Sequence, residues 1–392
     1  MKIKLRKYPY PFKAWLTISN DPDHTTYERW EQLHRFIWEE LKLPISDSLF
    51  VTSYNEQVDG QLCLKAYGNK ILKHKYDTIH TWGDYVNSRK KVFSRKDAVT
   101  AVNLLQDHKI MPVVWVDHSS FSGNFIKNSN KGSLPFLFDA AGHKYENFNY
   151  SFDIAYDLGI RYIWDGYLTR SLQVEPEILS YVKLQESFRY KLLKSFCSRA
   201  FSVSLKKKDT TLDGYIMKKK DISGKVIYVF RRYGTWNDAT IDGIPNMINE
   251  NLLDELLENE GIIILYTHLG KRVVSRENDK VHIPEGTAEA FCLLKDYYEK
   301  GLINISPLSE LLDYVVLKNN LRIETKNNII RFLTDGIRYT KLSKNDLSGK
   351  AFSFEIANNI RADDIKIYVD SDRYSEYTIS KENNNIITLK FN

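Results

Sequence analysis

The chain has 392 residues, more than one hydrophobic core usually holds, so a large domain with a smaller companion is expected. Hydrophobic residues make up 43% and charged residues 27%, which excludes a disordered or fibrous chain and fits a globular one. A net charge of +6 over this length comes with no nucleic-acid motif, so no nucleic-acid partner is expected.

In chain order, Met1 to Tyr8 is basic with no apolar run behind it, and neither a signal peptide nor a membrane span is expected. Lys13 to Ser19 predicts the first strand. It breaks at Asn20-Asp21-Pro22-Asp23-His24 into two carboxylates and an imidazole. Thr25 to Leu41 predicts a helix, because Tyr27, Trp30, Leu33, Ile37 and Leu41 form one apolar stripe and Thr25 with Glu28 can form a capping box. Asp21 and Asp23 therefore fall in a strand-to-helix loop. Ser48 to Tyr54 predicts a second strand. The spacing of His80 and Asp84 places both on one side of a helical turn. Ser94 to His108 predicts a capped helix with Ala98, Val99, Ala101, Val102, Leu104 and Leu105 on its apolar side, and Ile110 to Asp117 a buried strand ending at Asp117-His118.

Tyr150 to Leu158 predicts a short helix capped by Gly159, followed by a strand from Ile160 to Trp164 that ends at Asp165. A further helix is expected near Val182 to Ser195. Lys206-Lys207-Lys208 and Lys218-Lys219-Lys220 read as solvated loop charge. Val226 to Phe230 predicts a strand before Arg231-Arg232, Asn251 to Glu260 a helix, and Ile262 to Tyr266 a strand that runs out at Thr267-His268. Helices follow at Pro284 to Lys300 and Ser306 to Val316. After about Leu317, short alternating runs between Asn- and Asp-rich turns predict a small β-sandwich. Strand–helix alternation before that point predicts an α/β barrel or parallel sheet over residues 1–317, with a β-rich domain over 318–392. Cys63, Cys197 and Cys292 are odd in number and far apart, which argues against a disulfide framework and a thiolate zinc site and for a reducing cytoplasm.

The strand ends carry chemistry: Asp21 and Asp23, His80 and Asp84, Asp117 and His118, Asp165, and His268. A barrel keeps its active site at such ends. Asp23, His80 and Asp84 have the carboxylate and imidazole donors that bind a divalent metal. Each also has a purely structural reading. An Asp can start a helix, a His can be a satisfied half-buried core residue, and His268 can be the first polar residue of a loop.

The order of these motifs resembles the polysaccharide-deacetylase family, whose NodB-homology domain is a distorted β/α barrel. Ser19-Asn20-Asp21-Pro22-Asp23 is similar to its paired-acid motif and His80-Thr81-Trp82-Gly83-Asp84 to its His-Ser/Thr-x-x-His motif. Ile160 to Asp165 is similar to its aromatic-rich later strand, and Leu265-Tyr266-Thr267-His268 to its late Leu-x-x-His. The resemblance spans roughly Lys13 to Lys300. It implies Asp23 and His80 as metal ligands, Asp21 as general base, His268 as general acid, and Arg231 or Arg232 as the group that tunes the base. It departs from the family at Asp84, where a second histidine is usual. Either Asp84 completes an Asp–His–Asp set, or His74 reaches the metal with Asp84 behind it. Pro22 between the acids is a second departure.

The resemblance implies a metal-dependent hydrolase, with zinc as the divalent ion, that removes an N-acetyl or similar acyl group from a sugar or polysaccharide precursor. Trp82, Asp117, His118, Trp164, Asp165, Arg231 and Arg232 are expected on the substrate side, with Trp82, Trp115 and Trp164 available to stack on a sugar face. A cytoplasmic location implies a nucleotide- or lipid-linked carbohydrate. The alternatives are a deacetylase-like module that binds carbohydrate or metal without turnover, and a polyanion binder using the basic stretch from Lys206 to Lys220.

Overall fold

The computed structural model describes residues 3–55, 60–85, 93–116, 151–169, 172, 178–180, 216–220, 225–271, 283–326, 328–333, 347–357 and 360–392. Seven parallel strands close into a barrel. They are β1 (Ala14–Asn20), β2 (Ser46–Leu49), β3 (Thr78–His80), β4 (Val114–Val116), β5 (Tyr162–Thr169), β6 (Val226–Tyr233) and β7 (Ile262–Thr267). Each pairs with the next, β6 meets β7 at Tyr233 and Leu265, and β7 closes the ring against β1 from Trp15 to Asn20.

Every residue of β1 and β7 is buried. Parallel strands covered on both faces have this property, which is why they read as continuous apolar runs. The two-residue period then sorts the side chains. Trp15, Val114, Val116, Trp164, Phe230, Ile264 and Tyr266 share one core cluster, while the alternating Leu16, Ile18, Ile263 and Leu265 pack in another with the helices. Those helices are α1 (Tyr27–His34), α2 (Arg95–Asp107), α3 (Phe152–Leu158), α4 (Glu250–Glu258), α5 (Glu285–Glu299) and α6 (Leu308–Asn320). Ala98, Ala101 and Leu105 form the buried face of α2, whereas Val99 is exposed.

A short eighth strand, β8 (Ile303–Ile305), distorts the ring. It pairs with Ala14 to Leu16, so β1 and β2 are paired only over Ser19–Asn20 and Ser46–Asp47. The barrel is thereby tied at the end where the acids sit. At the opposite end Asp77 receives hydrogen bonds from Ser309 N–H (2.7 Å) and Ser46 Oγ (2.9 Å), while Leu308 N–H donates to Ser46 Oγ (2.7 Å). A buried carboxylate at the N-terminus of α6 is favourable for the unpaired amides and the helix dipole alike.

The structure corrects several local expectations. The helix expected over 25–41 is α1 followed by a π-helical segment at Arg35–Glu40. Its cap is Thr26, whose extended backbone presents Oγ1 to Arg29 N–H, and not Thr25. β6 continues past Phe230 to Tyr233, so Arg231 and Arg232 lie on the strand. Likewise β5 runs on to Thr169, so Asp165 is inside it and does not end it. Lys218 to Lys220 belong to a strand, Ile216–Lys220, antiparallel to β6, and not to a loop. The helix expected near 182–195 and the lysines at 206–208 lie outside the described residues.

Beyond α6, the strands Arg322–Lys326, Ile329–Leu333, Lys366–Val369 and Asp372–Arg373 form one sheet. Ala351–Glu355, Ile386–Phe391 and Tyr377–Asn383 form another. Phe332 from the first sheet lies 5.2 Å from Phe352 and 5.0 Å from Phe391 of the second, ring centre to ring centre. Lys4–Leu5 adds an edge strand to the second sheet, so the N-terminus belongs to the C-terminal β unit. Among the described residues no helix is long and apolar enough to cross a membrane.

Candidate metal centre

Closing the barrel brings the ends of β1, β3, β6 and β7 together. One donor atom each from Asp21, Asp23 and His80 lies within 4.8 Å of the others. His80 closes β3 with its side chain 1% exposed, its Nε2 3.6 Å from Asp21 Oδ2 and 3.7 Å from Asp23 Oδ2. A tetrahedral ion with bonds of ~2.1 Å sets its donors ~3.4 Å apart. The observed separations suit such an ion, and two carboxylates with an imidazole suit a borderline or hard divalent cation.

Arg232 is the central cation. Its guanidinium is fully buried and grips Asp21 with both arms, Nη1 to Oδ1 and Nη2 to Oδ2, each at 2.7 Å. Nη1 also donates to Ser19 Oγ at 3.0 Å. The neighbouring strands supply Trp164 and Tyr266, whose ring centres lie 3.5 and 4.3 Å from its central carbon. Two aromatic faces and a two-pronged carboxylate compensate a charge that is out of reach of water. Burial alone would raise the Asp21 carboxyl, but the adjacent Arg232 and His80 outweigh it and hold the group well below the usual carboxylate range. Asp21 is therefore a fixed anion. Two of its roughly four lone-pair positions face Arg232, and the rest remain for other partners; Ser48 Oγ takes up one of them at 3.1 Å.

His268 follows β7, and its Nε2 lies 2.8 Å from Asp23 Oδ2, 3.2 Å from the Tyr266 hydroxyl and 3.9 Å from Asp21 Oδ2. The Asp23 side chain is 23% exposed, so the cluster is reached from its side. Asn20 fastens the strand ends. Its Nδ2 donates to Asp47 Oδ1 and its Oδ1 accepts from Leu269 N–H, both at 2.8 Å.

No family model, curated protein or solved structure matches the chain.

The structure brings Asp21, Asp23, His80, His268 and Arg232 together, and Arg232, not Arg231, is the partner of Asp21. It places Asp84 elsewhere. The turn after His80 is not helical: Thr81 has φ 51, and Gly83–Asp84 pairs in parallel with Thr52–Ser53. Gly83 is required there, since a Cβ would overlap Thr52. The Asp84 carboxylate accepts from Asn55 Nδ2 at 2.8 Å and is not part of the three-residue donor group. Trp82, Trp115 and Trp164 are fully buried, so none presents a face to a sugar; Trp82 and Trp115 pack on each other, and Trp164 covers Arg232. Asp117 and His118 lie outside the described residues, as does the Asp165 side chain. Ser48 and Asp47 were not singled out in the sequence, and Asn20 and Tyr266 stood in the motifs without a role, since single polar or aromatic residues in a strand carry no signal of their partners.

His74 also lies apart from the donor group. Its Nδ1 is 3.1 Å from His34 Nε2, its ring stacks on Trp38 at 4.3 Å, and its Nε2 is 3.8 Å from Asp47 Oδ2. Burial pushes His74 down to about 4, and burial followed by the neighbouring His74 lowers His34. The unfolded chain takes up the His74 proton near the ordinary value of 6.5. Stability is therefore complete above pH 6.5 and falls as the pH drops towards 4, by roughly 3 kcal/mol from this residue. In urea titrations at stepped pH, His74→Phe is expected to flatten that slope. An unchanged slope would show that His74 is not its source.

Proposed function

We propose that the chain is a metal-dependent amide hydrolase of the polysaccharide-deacetylase type, acting on an N-acetylated sugar or polysaccharide precursor, nucleotide- or lipid-linked. The supporting observation is the arrangement itself: a buried Arg232–Asp21 pair beside Asp23 and His80, with His268 against the same Asp23 oxygen. In this reading Asp23 and His80 hold the ion, and zinc suits their oxygen and nitrogen donors. When bound, the ion would acidify a water and polarise the scissile carbonyl.

The chain's own groups do the rest. Arg232 keeps Asp21 ionised, and so able to accept the water's proton, but also makes it a weak base. Such a base suits only a nucleophile that is already acidic. His268 gives a proton to the departing amine, and its 2.8 Å contact with Asp23 fixes the ring that carries it. Asp84, engaged by Asn55, is not assigned to the ion in this reading.

Elemental analysis of the purified protein tests the metal, and acetate release from N,N′,N″-triacetylchitotriose tests the chemistry. About one divalent ion per chain is expected, lost in Asp23→Ala together with acetate release. A wild-type chain with no stoichiometric divalent ion would overturn the reading. The donor group lacks the family's second histidine, which also suits a module without turnover; metal retention with no acetate release would identify that case.

A further inference from the structure

The indole of Trp236 stands at the mouth of the site, and none of the roles above uses it. The chain has seven tryptophans. Trp15, Trp30, Trp82, Trp115 and Trp164 are buried and Trp38 is half-buried, but Trp236 is 59% exposed. A single exposed apolar side chain needs no explanation by itself. The position of this one is what matters. Its ring centre is 5.2 Å from Tyr266, the residue whose hydroxyl reaches His268, and 6.4 Å from Trp164, which covers Arg232.

The turn that carries Trp236 is rigid and is registered to His268. Thr235 Oγ1 donates to Asp238 Oδ2 at 2.5 Å, and Asp238 N–H returns to Thr235 Oγ1 at 3.1 Å. Asn246 Nδ2 donates to Asp238 Oδ1 at 3.0 Å. Gly243 lies so close beneath that an added Cβ would be 2.5 Å from the Asp238 carbonyl oxygen. Three residues after Trp236, the Ala239 carbonyl accepts from His268 N–H, and Thr240 pairs with His268 in a parallel bridge. The backbone that carries the indole is therefore tied to the backbone of His268.

We infer that Trp236 is the stacking platform for the pyranose ring of the substrate, setting the sugar unit whose amide faces Asp23 and His268. This rests on the hydrolase reading of the same site. A pyranose has one face of C–H groups that an exposed indole covers well, and an edge of hydroxyl and acetamido groups. The polar edge then points at Asp23, the carboxylate of the cluster that remains open to water. Tyr266 and Trp164 continue the aromatic wall inward but are buried, so Trp236 is the member of the wall with a face to offer.

The test uses the full chain, with chelator present so that no turnover occurs, and triacetylchitotriose as probe. Trp236 is the exposed fluorophore, so binding is expected to shift its emission and protect it from acrylamide quenching. By calorimetry, Trp236→Ala is expected to bind the probe about tenfold more weakly and Trp236→Phe to fall between the two, as loss of one aromatic contact implies. Equal affinity of wild type and Trp236→Ala would overturn the proposal, as would protection of Trp236 by uridine monophosphate but not by the sugar. Trp236-dependent sugar binding without acetate release in added zinc would leave the platform standing and refute the hydrolase reading. Acetate release with KM unchanged in Trp236→Ala would do the reverse.

Discussion

Replacing Arg232 with methionine is expected to destabilise the protein by about 3–5 kcal/mol at neutral pH, because it leaves the Asp21 carboxylate buried without its counter-charge. The wild-type pair is well made, with two 2.7 Å bonds, two aromatic rings against the guanidinium and no exposed surface. Its net worth is nonetheless the difference between a large desolvation cost and a large attraction, and removing one partner exposes the cost alone. The double variant Arg232→Met/Asp21→Asn, which removes both charges, is therefore expected to recover much of the loss. Urea denaturation of the wild type, Arg232→Met, Asp21→Asn and the double variant measures the coupling.

The pH dependence gives an independent check. In the wild type, the lowered Asp21 group contributes stability above its unfolded value of 3.8 that is lost only in strong acid. In Arg232→Met, burial is no longer opposed by the guanidinium, the group rises, and the deficit should shrink as pH falls and the carboxyl takes a proton. Additive effects of the two substitutions, with a deficit independent of pH, would refute this account of the pair.

His268→Ala is expected to keep the bound divalent ion and lower amide hydrolysis by ~10²–10⁴-fold, the usual contribution of a positioned proton donor. In the proposed mechanism the residue does two things at once: its Nε2 holds Asp23 at 2.8 Å and gives a proton to the leaving amine. His268→Gln separates them. Glutamine can still donate a hydrogen bond to Asp23 but cannot give up a proton, so it should match His268→Ala in rate while retaining the metal affinity of wild type. If His268→Gln instead restores hydrolysis, the histidine acts only by positioning Asp23. If His268→Ala is fully active, it has no part in the chemistry.

The parts of this arrangement that were legible in the sequence are those set by neighbouring residues. The run Trp15 to Ser19 is apolar and β-prone over more than one face, and it became β1. Ser94 was legible as the cap of α2, and its N–H donates to Asp97 Oδ2 at 2.8 Å. Gly159 took the left-handed backbone that ends α3. The polar residues where such runs stop, namely Asp21, Asp23, His80 and His268, could be marked without knowing what lay opposite them.

Other features failed for specific physical reasons. Arg231 and Arg232 differ by one position, and one position in a strand exchanges the two faces of the sheet. Only the extension of β6 to Tyr233 determined which arginine points inward. The interval from His80 to Asp84 suited a helical turn, but the positive φ of Thr81 and the missing side chain of Gly83 let that stretch pair with Thr52–Ser53 instead. Tryptophans near a motif look alike in sequence whether they are core, as Trp82 and Trp115 are, or surface, as Trp236 is.

The sequence by itself determined the α/β alternation, the caps and the chemical character of the strand ends, because each depends on side chains a few positions apart. The tertiary structure decided who meets whom. Arg232 and Asp21 are separated by 211 positions and meet at 2.7 Å only because seven strands close into a ring at one register. Burial then completed the distinction within Asp21-Pro22-Asp23: the first carboxylate is enclosed by Arg232 as a fixed anion, while the second remains open beside His80 and His268. Local sequence has no term for that difference, since it arises from the low-dielectric space that the closed barrel creates around one acid and not the other.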